Sequence, residues 1–314
     1  MRVVVCVAIA FLASCSSGPE IAPPANIVVD KSPQRVERGR YLYTTLADCD
    51  SCHSQHDYTR LYSPLAGPGR GAGAVLPFQG LPGRMVASNI TPDPETGIGT
   101  WTDGEKIRAI REGISKDGHA LHPTMPYPSY RYMSDEDVQA LVAFMDQLPP
   151  IRNPLPKTEL PAAVLKAIRG VPRPVRDPVP PPPPGNQASA GEYLATIAYC
   201  EECHTPQVGG QPDTSRRFAG GQTFSTPAGS VVTANITPDK DTGIGAWDYA
   251  RFRDRLQIFR KDYSSVEALP KIGPDRFTVM HYIAYSGLTE ADMAALFAYL
   301  QTRTPVSQKV EPHP

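Results

Sequence analysis

The pattern Cys-x-x-Cys-His occurs twice in this chain, as Cys49, Cys52 and His53 and again as Cys200, Cys203 and His204. The other two of its six cysteines, Cys6 and Cys15, fall among the first residues. Any fold must therefore present two thiols and an imidazole together on one turn, at two places. Disulfides are a poor use for these thiols, because bridging within a CxxC closes almost no loop and restrains little unfolded-chain entropy. A zinc ribbon needs its CxxC pairs roughly 15 to 20 residues apart, whereas most of a domain's length separates these. A thioredoxin-like redox pair needs a βαβ setting that the sequence does not show. The remaining chemistry is the one in which each thiol adds to one vinyl group of a haem and the histidine binds its iron. The motifs thus predict two covalently attached haem c groups, at Cys49/Cys52 and Cys200/Cys203, with His53 and His204 as axial ligands.

The motifs sit inside a longer repeat. GRYLYTTLADCDSCH (39 to 53) matches GEYLATIAYCEECH (191 to 204), and NITPDPETGIGTW (89 to 101) matches NITPDKDTGIGAW (235 to 247). A third block, MPYPSYRYMSDEDVQALVAFMDQL from Met125, aligns with MHYIAYSGLTEADMAALFAYLQTR from Met280. The offsets are 151 at the histidines, 146 at the asparagines and 155 at the methionines, so insertions separate blocks that keep their order, as in a duplicated domain that has diverged. Thirteen of the 35 prolines fall between Pro149 and Pro184, and Pro180 to Pro184 run unbroken, which favours an extended polyproline II rod. The expected layout is a first domain over 33–150, a Pro-rich linker over 151–185 with a short helix near 162–169, a second domain over 186–305 and a tail over 306–314. Ser134 with Asp137 and Thr289 with Asp292 read as capping boxes. After them Val138, Leu141, Val142 and Met145, and likewise Met293, Leu296, Phe297 and Leu300, recur at helical spacing. The Gly- and Pro-rich middle of each repeat reads as loop with little sheet.

The N-terminus carries one arginine, an apolar run from Val3 to Leu12 and small residues up to Cys15. This reads as an export signal over 1–14, too short to span a bilayer. Leu12-Ala13-Ser14-Cys15 also resembles the bacterial lipobox, which would make Cys15 a lipidated first residue; the alternative is a plain signal peptide cut near Ala13. Residues 15–32 then read as a flexible tether, and no later segment is apolar enough to cross a membrane. A net charge of −1 argues against a nucleic-acid binder, which needs a basic face.

On the CxxCH motifs, the NITPDxxTGIG…W blocks and the MPYPSY segment, the chain resembles a dihaem c-type cytochrome. It is similar to the cytochrome c subunits of membrane-bound alcohol, gluconate and related dehydrogenases. Those subunits usually carry three haems, and this chain has two motifs. The resemblance implies a mainly α fold of two tandem cytochrome c-like haem domains. It also implies an electron carrier that takes electrons from a periplasmic or membrane-bound dehydrogenase and passes them to an oxidase or soluble cytochrome. Met125 and Met280 are the candidate second axial ligands, since they occupy equivalent places before the capped helix and the resemblance puts a distal methionine there. His119 and His122 compete with the first and His281 with the second. Met145 and Met293 read as core, and Met85 has Val231 as its counterpart.

Asn89, Trp101, Asn235 and Trp247 admit two readings, as haem-edge contacts or as residues that order a Gly- and Pro-rich loop. A calcium site on Asp93, Glu95, Asp239 and Asp241 has few carboxylates. His56 and His313 read as exposed polar side chains. Against the carrier stands an enzyme of a different class, a dihaem peroxidase with one open haem, which needs a labile distal ligand and an acid–base group above that iron.

Overall fold

The computed structural model describes residues 21–313. The expected signal segment, Cys6 and the lipidation candidate Cys15 lie outside the described residues. Helix α1 (Pro33–Tyr41) begins with proline, whose missing N–H is no loss in a first turn, and continues as a wider π turn over Leu42–Leu46. A short α2 (Asp50–His53) follows, then α3 (Asp103–Glu112), α4 (Tyr127–Tyr130) and α5 (Asp135–Met145). The Pro-rich stretch holds α6 (Ala162–Ile168). The second half supplies α7 (Gln187–Ile197), α8 (Cys200–His204), α9 (Tyr249–Leu256), α10 (Ile258–Asp262), α11 (Tyr282–Tyr285) and α12 (Glu290–Gln301). Sheet among the described residues is confined to four small antiparallel ladders. They pair β1 (Gln55–His56) with β2 (Leu65–Ala66), β3 (Ala74–Val75) with β4 (Val86–Ala87), β5 (Gln207–Val208) with β6 (Gln211–Pro212) and β7 (Thr223–Thr226) with β8 (Gly229–Val232).

In each half the first long helix crosses the last, α1 on α5 and α7 on α12. A glycine makes each crossing: a Cβ on Gly39 would lie 1.8 Å from Ala140 O, and one on Gly191 2.0 Å from Ala295 O. Only hydrogen fits between backbones that close. Val138, Leu141, Val142 and Met145 are all buried under α1, as are Met293, Leu296 and Leu300 under α7, with Phe297 packed at the edge. Each such side chain contributes about 1.5–3 kcal/mol of burial before entropy is charged against it.

The cap residues behave differently from a closed capping box. Ser134 and Thr289 accept from the Asp137 and Asp292 backbone N–H groups, each at 3.1 Å, but neither aspartate returns to its own cap. Tyr193 Oη donates to Asp137 at 2.7 Å and receives Ser134 N at 3.1 Å. Tyr41 Oη donates to Asp292 at 2.5 Å and receives Thr289 N at 3.4 Å. Tyr41 and Tyr193 are counterparts in the aligned repeat, so each half closes the other half's last helix in a reciprocal exchange. Among the described residues the one fully closed box is at Thr102 and Glu105, which start α3.

A second seam joins the halves through the 57–63 loop. Leu61 N donates to Pro270 O and Ile272 N to Thr59 O, both at 3.0 Å, and the Arg60 guanidinium donates to the Val266 and Leu269 carbonyls. The Tyr62 ring lies 5.3 Å from that of Tyr282.

Three segments expected outside the domains are attached to them. Within the presumed tether, Val29 is buried, its N–H donates to Asp103 at 2.9 Å, and Ala25 O abuts Gly104. Ile151 N and Asn153 N donate to Thr91 and Thr96 hydroxyls at 3.2 and 2.9 Å, just as Val306 N and Gln308 N donate to Thr237 and Thr242 at 3.1 and 3.0 Å. The boundaries at 150 and 305 therefore cut a hook that belongs to each half. The proline-rich stretch then runs over the first half, where Val179 O accepts from Asp135 N at 2.9 Å and Val175 N donates to Glu112 at 2.9 Å.

Candidate functional site

Both CxxCH motifs are formed on one tight helical turn entered through a left-handed residue, Asp48 at φ 40° and Tyr199 at φ 60°. The three-residue spacing then puts Cys49 near Cys52, and Cys200 near Cys203, on one face. All four cysteines are free and half-buried. Burial pushes the Cys200 and Cys203 thiols up to about 12 and raises those of Cys49 and Cys52 as well, so at neutral pH they are intact thiols.

The histidines are fixed alike. His53 Nδ1 lies 2.7 Å from Ser88 O and His204 Nδ1 lies 2.7 Å from Ala234 O. A carbonyl can only accept, so each Nδ1 carries the proton and each Nε2 presents its lone pair. Desolvation lowers both pKa values, against the raising effect of the carbonyl bond, which favours the neutral, ligating form. Gly73 N and Gly220 N clamp the histidine carbonyls at 2.7 and 2.6 Å.

The methionine segments are tied to these turns. Met125 and Met280 are half-buried and pack against the same core as Cys49, Cys200, Trp101 and Trp247. Each methionine carbonyl accepts from the residue two places on, Tyr127 N and Tyr282 N, at 2.8 Å. Five residues after each methionine a buried tyrosine reaches back: Tyr130 Oη donates to Ala47 O at 3.3 Å and Tyr285 Oη to Ala198 O at 2.9 Å. Those carbonyls lie two residues before the first cysteine of each motif. Sequence reasoning does not single out these tyrosines; the aligned YPSY and YIAY segments are the available signal.

Arg70 and Arg217 were also missed. Arg70 pairs with Asp50 at 2.6 Å, and Arg217 pairs with Glu201, the aspartate and glutamate being the first x of each motif. Met145 and Met293 are core residues at 5% and 0% exposure. Of the competing histidines, His119 is exposed on Asp117, His122 Nδ1 faces the Thr124 hydroxyl at 3.0 Å, and His281 is turned toward Asp48.

The side-chain amides of Asn89 and Asn235 are engaged within their own loops. Asn89 Nδ2 gives its two N–H groups to Thr96 and Ile151 O at 3.0 and 2.7 Å, and Asn235 Nδ2 gives its own to Thr242 and Val306 O at 3.1 and 2.8 Å. An amide has only two donors, and those of Asn89 and Asn235 serve to order the loop. Trp101 and Trp247 close those loops, each backbone N–H donating at 3.0 Å to Ile98 O or Ile244 O. Asp93 and Asp239 are spent on the same turns, accepting from Thr96 and Thr242. His56 is not merely exposed: it is half-buried, with its ring nitrogens 2.6 Å from Ser63 O and 2.9 Å from Asp50 O.

Unbridged thiol pairs on one turn, an imidazole held with Nε2 presented and a thioether packed on the same core fit a covalently bound haem. Adding an S–H across a vinyl group forms a carbon–sulfur bond and moves the hydrogen to carbon, without an oxidant. This donor set defines a haem protein of the c type, and comparison with known proteins agrees. The cytochrome c family model matches residues 36–149. A "Diheme cytochrome c-type" protein of Cereibacter sphaeroides is 33% identical over 232 residues, covering 70% of this chain and 71% of the relative. The chain belongs to the cytochrome c family, whose members carry covalent haem c.

Within that family it resembles larger subunits. It is 32% identical over 251 residues to "Alcohol dehydrogenase (quinone), cytochrome c subunit" of Gluconobacter oxydans, covering 74% of this chain and 48% of that one. It is 30% identical over 287 residues to "Gluconate 2-dehydrogenase cytochrome c subunit" of Pantoea cypripedii, covering 85% and 59%. The chain thus spans about half the length of these curated relatives. Their names favour electron transfer over the peroxidase alternative. No helix among the described residues is long and apolar enough to cross a membrane.

Proposed function

We propose that the chain is a dihaem electron-transfer protein built as two tandem haem domains, joined by the Pro-rich segment. Cys49 and Cys52 attach one haem and Cys200 and Cys203 the other. His53 and Met125 are the axial ligands at the first site, His204 and Met280 at the second, and Trp101 and Trp247 pack at the haem edges. The donor is a periplasmic or membrane-bound dehydrogenase and the acceptor a terminal oxidase or soluble cytochrome. The protein is exported to the periplasm and held at a membrane by lipid on Cys15.

The observation that carries this reading is the identical fixing of His53 and His204 by a backbone carbonyl at 2.7 Å. One-electron exchange at iron is the chemistry haem supplies when bound. The chain's own residues keep the ring in place: Ser88 and Ala234 orient the imidazoles, Tyr130 and Tyr285 hold the methionine segments to the motif turns, and the core excludes water. A rigid ligand set serves a carrier because little must rearrange between oxidation states. Asp48, next to Cys49, lies 2.9 Å from His281, next to Met280, which supports two sites close enough to exchange electrons.

Intact-mass measurement of the protein exported with the haem-attachment machinery tests the reading. Two haem additions are expected, and Cys49→Ala/Cys52→Ala and Cys200→Ala/Cys203→Ala should each leave one. A wild-type protein with a single haem would refute it.

A further inference from the structure

His281 directly follows Met280, and Asp48 directly precedes Cys49. The two meet across the boundary between the halves, His281 Nδ1 lying 2.9 Å from Asp48 Oδ2. Nδ1 is buried and makes no directed hydrogen bond, so the contact is a close approach of the ring to the carboxylate. The His281 ring also stacks on Tyr285, with centroids 5.6 Å apart and planes at 25°, and Tyr285 donates to Ala198 O. A continuous series of contacts therefore runs from the first CxxCH turn, through His281, to the turn of the second.

The arrangement is one-sided. In the aligned repeat Pro126 stands where His281 does and Tyr199 where Asp48 does, so the first methionine segment has no such tie. The second segment also has more need of one. The stretch that leads to Met280 is longer than its counterpart, and between α10 and α11 it contains the short 3₁₀ turns Val266–Ala268 and Pro274–Arg276 and one bridge, Lys271 to Arg60, while the residues from Phe277 to Met280 are irregular. Ordering such a stretch carries an entropy cost. A thioether is a weak, neutral ligand, so its hold on iron depends on how well its segment is anchored.

We infer that Asp48 and His281 are positioning residues by which the attachment turn of the first haem holds the methionine segment of the second. The inference rests on the two-haem reading above. It makes ligation at one site depend on a residue of the other.

Competition by exogenous imidazole tests this, at one fixed pH on the haem-loaded full chain, followed by the far-red sulfur-to-iron charge-transfer band. Met125→Ala and Met280→Ala first assign each haem's share of that band. Asp48→Asn removes the charge and suits the left-handed turn, since asparagine tolerates positive φ. His281→Phe removes the contact but keeps a ring on Tyr285. Both should lower the imidazole midpoint of the Met280 haem by about three- to tenfold and leave the Met125 haem unmoved. Tyr41→Phe, which loosens the same boundary elsewhere, should move neither. If Met280→Ala removes its share of the band but Asp48→Asn leaves the midpoint at the wild-type value, or shifts both haems equally, the inference is overturned and the ligand assignment stands. If Met280→Ala leaves the band intact, the assignment fails and takes the inference with it.

Discussion

Tyr193 donates a 2.7 Å hydrogen bond to Asp137 across the boundary between the halves, and its counterpart Tyr41 donates one to Asp292. The two bonds are not equal. Asp137 also holds Arg38 through two bonds of 2.8 Å, whereas Asp292 has no second side-chain donor among the hydrogen bonds described. Tyr193→Phe should therefore cost about 1 kcal/mol and Tyr41→Phe about 2 kcal/mol. Urea unfolding of each variant measures this, and the double variant should resolve one transition into two as the halves uncouple.

The helix crossings predict a sharper loss. Gly39→Ala and Gly191→Ala drive a methyl into a backbone carbonyl that cannot rotate away, and each should cost at least ~3 kcal/mol. Gly170→Ala is the control. Its nearest neighbour would be Ala167 O at 3.8 Å, so it should change stability by no more than about 0.5 kcal/mol. Denaturation midpoints of the three proteins decide the matter.

The NITPD turns should show in the acid limb of stability. Thr96, through its N–H and hydroxyl, holds the Asp93 carboxyl below the usual carboxylate range, and Thr242 does the same for Asp239. A carboxylate held below its unfolded value adds stability that is fully present above that value, about 3.9, and that is lost as pH falls through the folded one. The pH dependence of the urea midpoint should thus steepen below about pH 4, and Asp93→Asn should flatten part of that slope. An unchanged slope would mean that these bonds form equally in the unfolded chain.

Replacing either methionine should open one iron. Met125→Ala or Met280→Ala is expected to lower the potential of a single haem and let it bind CO, since the thioether proposed as ligand would favour reduced iron and fill the sixth position. Redox titration under CO checks both effects.

The motif turns and long helices could be read in the sequence because their signals are local: a three-residue cysteine spacing, an adjacent histidine, an apolar stripe at 3.6-residue period. The cap residues Ser134 and Thr289 were legible for the same reason. What closes those caps was not, because Tyr41 and Asp292 are 251 positions apart and neither carries a mark of the other. Asn89 could be seen as special from its repetition at Asn235, but whether its donors served the loop or a cofactor depended on where Ile151 O lay. The packing of Val29 on α3 escaped for a simpler reason: a Pro-rich stretch looks equally like a tether whether or not a groove receives it.

The proposed carrier needs two closed, methionine-ligated haem sites in one chain. Spectroelectrochemical titration of the haem-loaded protein, with and without CO, tests that most directly. Two low-spin haems, each with the sulfur-to-iron band and each indifferent to CO, are predicted. A haem that binds CO in the unaltered protein, or a titration that accounts for only one iron, would contradict it.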